Sequence, residues 1–241
     1  MTAPLPAGST IGIIGGGQLG RMLAMAAARL GYRTTILEPQ PGCPAAQVAN
    51  RQIVAAYDDA AALAELAATS AVVTYEFENV PVAAANGLAA LVPVCPQPLA
   101  LEVAQDRVAE KQFLNGIGIL TTHFSPVDDD DQLATALARF HGSGVLKTRR
   151  MGYDGKGQRV FRDASSADIA GACAAMGGVP LILESLVAFE REISVIAARD
   201  ASGTVRAYDP AENVHRDGIL RSSTLPARIS PRTAAMAQDA A

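Results

Sequence analysis

The stretch Ile13-Ile14-Gly15-Gly16-Gly17-Gln18-Leu19-Gly20 decides the fold of the first part of the chain. An apolar run, Ile11 to Ile14, ends in three glycines, and an alanine-rich helical segment, Leu19 to Leu30, follows at once. Gly-x-Gly-x-x-Gly between a strand and a helix makes a tight turn, and the helix it opens presents unpaired N–H groups and the positive end of its dipole. Outward from this point the alternation continues. Strands are expected at Thr34 to Leu37 and Ile53 to Ala55, a helix at Asp59 to Ala68, strands at Ala71 to Tyr75 and Val92 to Cys95, with the segment Pro81 to Leu91 between the last two. Strands that alternate with helices imply a parallel sheet covered on both faces, so residues 1–100 are read as a doubly wound α/β domain. Glu38 ends the second strand, where an acid can hold a ribose. The glycines support two readings: a seat for phosphate or ribose, or simply close packing of strand against helix.

Beyond this domain the pattern changes. Pro93, Pro96 and Pro98 punctuate the chain, and a boundary is placed near residue 100. A helix from Asp106 to Leu114 is ended by Gly116 and Gly118. Then follow a strand Val145 to Lys147, a glycine-rich loop, a strand Gln158 to Phe161, a helix Ser166 to Met176 and a strand Leu181 to Glu184. Further strands are expected at Glu192 to Ala198 and Val205 to Tyr208. This is an α+β arrangement with a hairpin at its centre. The run Asp128 to Asp131 reads as a solvated loop leading into a helix Gln132 to Arg139, since acids favour a helix start.

Composition bounds the function. The 241 residues are 49% hydrophobic and 18% charged, which excludes wholesale disorder. A net charge of -4 offers no broad positive field for nucleic acid or an anionic membrane, so small anions must be caught locally. Uncharged stretches such as Gly87 to Leu101 are broken by prolines and do not reach the length of a membrane span. Met1 to Gly8 lacks the basic and apolar regions of a secretory signal, so a cytoplasmic location is expected. Cys43, Cys95 and Cys173 are scattered and lack metal-ligand spacing, and are read as buried or idle thiols.

Three further constellations carry chemistry. In Lys147-Thr148-Arg149-Arg150-Met151-Gly152-Tyr153-Asp154-Gly155-Lys156-Gly157-Gln158, four cations and one acid share a loop whose three glycines let backbone approach a ligand. Strands flank it on both sides and Asp154-Gly155 is a hairpin signal, so it is no Walker loop but a flap suited to a polyphosphate. A solvated basic hairpin tip is the plainer reading. Tyr75-Glu76-Phe77-Glu78-Asn79-Val80-Pro81 ends a parallel strand, where ligands of open α/β sheets bind; Glu76 and Glu78 share a face if the strand continues. A capping turn before Pro81 explains the segment equally well. Glu184, Glu190-Arg191-Glu192 and Glu212 to Gly218, with His215, supply acids at strand ends that suit ribose hydroxyls or an adenine amino group, or else form surface ion pairs. His123 and His141 look structural.

Taken in order, Gly15 to Met22, Tyr75 to Pro81, Gln105-Asp106-Arg107, the loop Lys147 to Gln158, Glu190 to Ile196 and His215 to Leu220 resemble the N5-carboxyaminoimidazole ribonucleotide synthetases of the ATP-grasp superfamily. The resemblance spans nearly the whole chain. It implies a pre-ATP-grasp, Rossmann-like domain over 1–100, an ATP-grasp linker and lid subdomain over 101–187, and the start of an incomplete C-terminal lobe over 188–241. It also implies a carbon–nitrogen ligase of purine biosynthesis: ATP phosphorylates bicarbonate to carboxyphosphate, and 5-aminoimidazole ribonucleotide takes up the carboxyl group, leaving ADP and phosphate.

Carried over position by position, Arg107 and Lys147 meet the nucleotide, and Gly152, Tyr153, Asp154, Gly155, Lys156, Gly157 and Gln158 close over its phosphates. Glu184, Ser185, Leu186 and Val187 meet adenine, Glu192 meets the ribose, and His215 lies near the nucleotide. Gln18, Leu19, Glu76, Tyr153 and Asp154 fall on the ribonucleotide side. Lys147, Tyr153 and Asp154 are expected in the catalytic role, and members of the family are commonly homodimers. Met151 stands where this family usually has glycine. The family continues past the equivalent of Ala241, which falls in an expected helix Arg232 to Ala240, into strands carrying paired acidic Mg2+ ligands; no metal ligands are expected within this chain. Two other readings follow. One is a nucleotide-binding module without turnover. The other, resting on the glycine turn and Glu38, is a nicotinamide oxidoreductase, against which the basic hairpin argues.

Overall fold

A computed structural model of the chain describes residues 4–152, 157–216 and 218–241. It divides into two units, Ala3–Asp106 and Arg107–Ala241.

The first unit runs β1 (Thr10–Ile14), α1 (Gln18–Arg29), β2 (Arg33–Leu37), β3 (Arg51–Ile53), α2 (Ala60–Thr69), β4 (Val72–Tyr75), α3 (Val82–Ala89) and α4 (Pro98–Ala104). Its sheet is parallel throughout, in the order β3-β2-β1-β4. Successive side chains go to opposite faces. Ile14, Leu37, Ile53 and Val73 pack with Leu66 of α2 and Leu88 of α3, whereas Ile13 and Ile36 pack with Ala24 of α1 and Ala45. Both faces are therefore buried, as the doubly wound reading requires. Asp59 caps α2 by accepting from the Ala62 N–H at 2.9 Å.

The strand expected at Val92 to Cys95 reduces to a single parallel bridge, Val94 to Val73. Val73 donates to Pro93 O and Cys95 donates to Val73 O, but prolines at 93 and 96 have no N–H with which to extend the ladder. The third strand lies two residues earlier than expected, and α4 begins on Pro98, which the sequence reading took only as punctuation.

The second unit runs α5 (Arg107–Gly116), β5 (Phe124–Val127), α6 (Asp130–Arg139), β6 (Gly144–Thr148), β7 (Gln158–Phe161), α7 (Ser166–Ile169), α8 (Ala172–Ala175), β8 (Leu181–Ser185), β9 (Glu192–Ser194), β10 (Ala197–Arg199), β11 (Val205–Ala207), β12 (Ala211–Arg216), β13 (Ile219–Thr224) and α9 (Pro231–Ala240). An antiparallel sheet in the order β5-β8-β6-β7 presents Val127, Leu146, Phe161, Leu181 and Leu183 to Leu133 and Leu137 of α6 and Cys173 of α8. Two smaller sheets, β13-β12-β9 and β10-β11, follow.

Several expectations need correction here. The helix Ser166 to Met176 breaks at Gly171, which takes φ 73° and starts α8 afresh. Asp130 fastens that break by accepting from the Gly171 and Cys173 N–H groups at 2.6 and 3.0 Å. The strand Glu192 to Ala198 is two strands in different sheets. β5, β12 and β13 were not foreseen. β5 contains Pro126, and β12 and β13 are largely polar, so none shows a clear apolar alternation. No helix among the described residues is long and apolar enough to cross a membrane. Cys43 and Cys173 are buried, as read; Cys95 is exposed.

Candidate functional site

In the second unit the strands β6 and β7 zip together up to the cationic loop. Lys147 pairs with Gln158, and the Thr148 N–H donates to Gly157 O at 2.9 Å. Tyr153, Asp154, Gly155 and Lys156 lie outside the described residues. Gly157 has φ 68°, and a Cβ there would stand 2.9 Å from Thr148 Oγ1, so glycine is demanded by both conformation and space. Met151 also sits in the left-handed region, at φ 63°. A side chain at such a position costs about 1 kcal/mol or more.

Arg107 opens α5 and turns back on the loop. Its Nη1 donates to Thr148 O and its Nη2 to Gly152 O, both at 2.9 Å, and its backbone N–H donates to Arg149 O at 3.1 Å. The guanidinium expected to meet a nucleotide is therefore also the clamp that sets where the loop leaves β6.

Period-two alternation builds the floor below. Leu181 and Leu183 of β8 point into the core, so Ile182 and Glu184 point the other way, together with Lys147 of β6, which pairs with Ile182. Glu184 is only 8% exposed. Lys147 Nζ lies 3.0 Å from its Oε2, and Lys111 Nζ lies 3.6 Å from its Oε1. Lys111 also donates to Thr122 Oγ1 at 3.1 Å. Sequence reading missed Lys111. Its signal was present: it stands four residues after Arg107, one turn along the same face of α5.

Past Glu184, Ser185 donates to His123 O at 2.8 Å and prolongs the β5–β8 ladder, Leu186 is half-buried and Val187 is exposed. Glu192 of β9 pairs with Asn213 of β12. His215, two residues further along, places Nδ1 3.0 Å from Glu192 Oε1. Arg191 and Glu212, by contrast, form a surface pair at 3.1 Å. The Glu212 carboxyl is held below its ordinary range, first by the Arg228 backbone N–H and then by the charge of Arg191.

The glycine turn of the first unit has a different character. Gly16 donates to Glu38 Oε2 at 2.9 Å, Gly17 donates to Glu76 Oε1 at 2.6 Å, and Gly20 donates to Glu76 Oε2. The N–H groups that would hold a diphosphate already hold two carboxylates. Tyr57 donates to Glu38 as well, and burial first, then that carboxylate, pushes its hydroxyl above the ordinary tyrosine range. A cavity of about 220 Å³ beside the turn is lined by Glu38, Glu76, Cys43 and Tyr57, a lining that favours hydrogen-bond donors over anions. A nicotinamide dinucleotide would have to displace both acids, which argues against the oxidoreductase reading.

Gln18 and Leu19 open α1 with exposed side chains. The strand ends at Tyr75, so Glu76 turns to the glycines and Glu78 is exposed; the two do not share a strand face.

A helix N-terminus stopped by carboxylates and a separate sheet whose acid and lysines lie under a clamped glycine loop form a recognisable pair. The sequence pattern described as "Ribonucleotide synthetase preATP-grasp domain" matches residues 8–105, and that described as "ATP-grasp domain" matches residues 112–241. The chain belongs to the ATP-grasp family. This ATP-grasp chain is 64% identical over 237 residues to the N5-carboxyaminoimidazole ribonucleotide synthase of Brucella melitensis, covering 98% of this chain and 66% of that protein. The Pseudomonas aeruginosa synthase is 44% identical over 213 residues, with coverages of 88% and 58%.

Among solved structures, the ADP complex of an N5-carboxyaminoimidazole ribonucleotide synthetase superposes with a TM-score of 0.93 at 42% identity, covering all of this chain and 63% of that one. The Aspergillus clavatus synthase in complex with ADP and 5-aminoimidazole ribonucleotide gives 0.86 at 28% identity, with coverages of 97% and 61%. The ATP-grasp chain thus spans at most about two thirds of the length of these relatives.

Proposed function

We propose that this chain serves the ATP-dependent carboxylation of 5-aminoimidazole ribonucleotide with bicarbonate, through carboxyphosphate, to N5-carboxyaminoimidazole ribonucleotide, ADP and phosphate. The observation that carries the reading is the Lys111–Glu184–Lys147 cluster next to the Arg107-clamped loop, in a chain 64% identical to a synthase of that name.

The nucleotide lies along β6 and β8. Its adenine reaches the strand end Glu184 to Val187, its ribose reaches Glu192 and His215, and its phosphates reach Lys147 and the loop 152–158. Lys147 supplies a point charge to the phosphates, and the loop, closed by its glycines, excludes water that would destroy an acyl phosphate. Gln18, Leu19 and Glu76 of the first unit take the ribonucleotide. Glu76 accepts from two glycine N–H groups and has the acceptor chemistry to take a further hydroxyl or amine. Magnesium accompanies ATP in this family. Among the described residues no group of three or more His, Cys, Asp or Glu stands together to hold a metal ion. The chain acts in the cytoplasm as a homodimer, a reading that rests on the family resemblance.

ADP release by the 241-residue chain from ATP, Mg2+ and bicarbonate, with and without aminoimidazole ribonucleotide, tests the function. Release that depends on the ribonucleotide is the expected result. Nucleotide binding with no release would instead select the second reading, a binding module without turnover. Failure to bind ATP or ADP at all would overturn both.

A further inference from the structure

Glu184 has two lysines within reach, and the nucleotide reading uses only one. Its side chain is 11% exposed, that of Lys111 14% and that of Lys147 27%. Lys147 holds the shorter contact, 3.0 Å against 3.6 Å, and is the more exposed of the two. It is also the lysine assigned to the phosphates. A lysine at 3.0 Å from a carboxylate cannot give its full charge to a phosphate without loosening that pair. A carboxylate as buried as Glu184 is strongly disfavoured when left without a cation. The transfer of Lys147 from carboxylate to phosphate is therefore cheap only if Glu184 keeps another partner.

Lys111 meets that need. It approaches the other carboxylate oxygen, Oε1, so it does not compete with Lys147 for the same lone pairs. It comes from a different element, α5, and Thr122 Oγ1 fixes its ammonium at 3.1 Å. The same helix starts with Arg107, whose guanidinium holds Thr148 O and Gly152 O. One helix thus carries both the loop clamp and the second cation on Glu184.

We propose that Lys111 is a positioning residue for nucleotide binding: it is the standing counter-ion of Glu184 that releases Lys147 to the phosphates. This rests on the nucleotide reading given above. The step is an exchange of ion-pair partners. The Lys147 ammonium leaves Glu184 Oε2 for a phosphate oxygen, no proton is transferred, and Glu184 stays paired with Lys111.

The test compares ADP with adenosine, which has the base and ribose but no phosphate, by calorimetric titration of the full chain and of Lys111→Met and Lys111→Arg. Lys111→Met should bind ADP about tenfold more weakly, because Lys147 stays with the carboxylate, while its adenosine affinity stays within about twofold. Lys111→Arg keeps the charge and should restore ADP binding to within about threefold of the unaltered chain. Equal weakening for adenosine and ADP would show a merely structural role and overturn the proposal, as would unchanged ADP binding by Lys111→Met. If the unaltered chain itself bound no ADP, it is the nucleotide reading that would fall.

A second measurement needs no substitution. On adding ADP, the NMR signals of both the Lys147 and the Lys111 ammonium groups should shift, with slower hydrogen exchange at Lys111 as its pair with Glu184 tightens. A Lys111 signal unmoved by saturating ADP would overturn the exchange even if Lys111→Met failed to fold.

Discussion

Two glycine-rich turns in this chain resemble each other as sequence and differ as chemistry. Gly15 to Gly20 joins a strand to a helix, and its N–H groups hold Glu38 and Glu76. The loop after β6 joins two antiparallel strands, and its approaches are set by Arg107, with Lys147 and Lys111 on the adjoining floor. Glycine supplies close approach and left-handed backbone in both. The charge of the neighbouring side chains decides which ligands approach. A helix N-terminus already neutralised by two acids repels a phosphate, whereas a floor with two lysines to one glutamate attracts it.

The sharpest way to break this contrast is Lys147→Met. It should weaken ADP binding by about 100-fold in calorimetric titration, since a charge-assisted phosphate contact is lost from a half-buried site. A change of less than about threefold would mean that the phosphates sit elsewhere. On the other side of the contrast, Glu76→Ala should leave the Gly17 and Gly20 N–H groups without their acceptor. It should cost the first unit about 1–3 kcal/mol in urea denaturation, with ADP affinity unchanged. Gly20→Ala sharpens the same point, because its Cβ would lie 2.7 Å from Gly15 O, a backbone atom that cannot step aside. A loss of about 1–3 kcal/mol is expected.

Most of the architecture was legible because its physics is local. Strands buried on both faces are continuous apolar runs, and Asp59 and Asp129 announce the helices that they cap. The hairpin around the cationic loop followed from its flanking strands. What escaped was set by tertiary partners. β12 and β13 pair through polar residues such as Asn213 and Ser223, and β5 owes its strand to the ladder with β8 rather than to a pattern of its own. In the site, Lys147, Glu184, Glu192 and His215 were read from the sequence, and the structure brings them into two pairs. That the Glu38 and Glu76 carboxylates accept from the glycine N–H groups was not legible, because only the fold shows that both acids reach the turn. Lys111 was missed because a lone lysine on a helix is ordinary until a buried acid is seen beside it.

Two smaller effects refine the contrast. Met151→Gly should relieve the left-handed backbone at φ 63°, but it also frees the unfolded chain, so stability should move by less than about 1 kcal/mol in either direction. Its effect should be seen instead as faster amide exchange in the loop. At the break between α7 and α8, the Cys173 and Gly171 N–H groups hold the Asp130 carboxyl below its ordinary 3.8. A carboxyl whose pKa is lowered on folding stabilises the fold above its ordinary value and loses that contribution as pH falls through the lowered one. Asp130→Asn should therefore flatten the acid limb of a thermal-melt profile below about pH 4 and leave it unchanged near pH 7.

The most direct measurement is an amide chemical-shift map of the full chain titrated with ADP. Shifts concentrated at Lys111, Lys147, Glu184 to Val187 and Glu192, with Gly15 to Gly20 unmoved, are predicted by the contrast between the two turns. Shifts centred on Gly15 to Gly20 and Glu38, with the β6–β8 floor silent, would contradict it and return the nucleotide to the first unit.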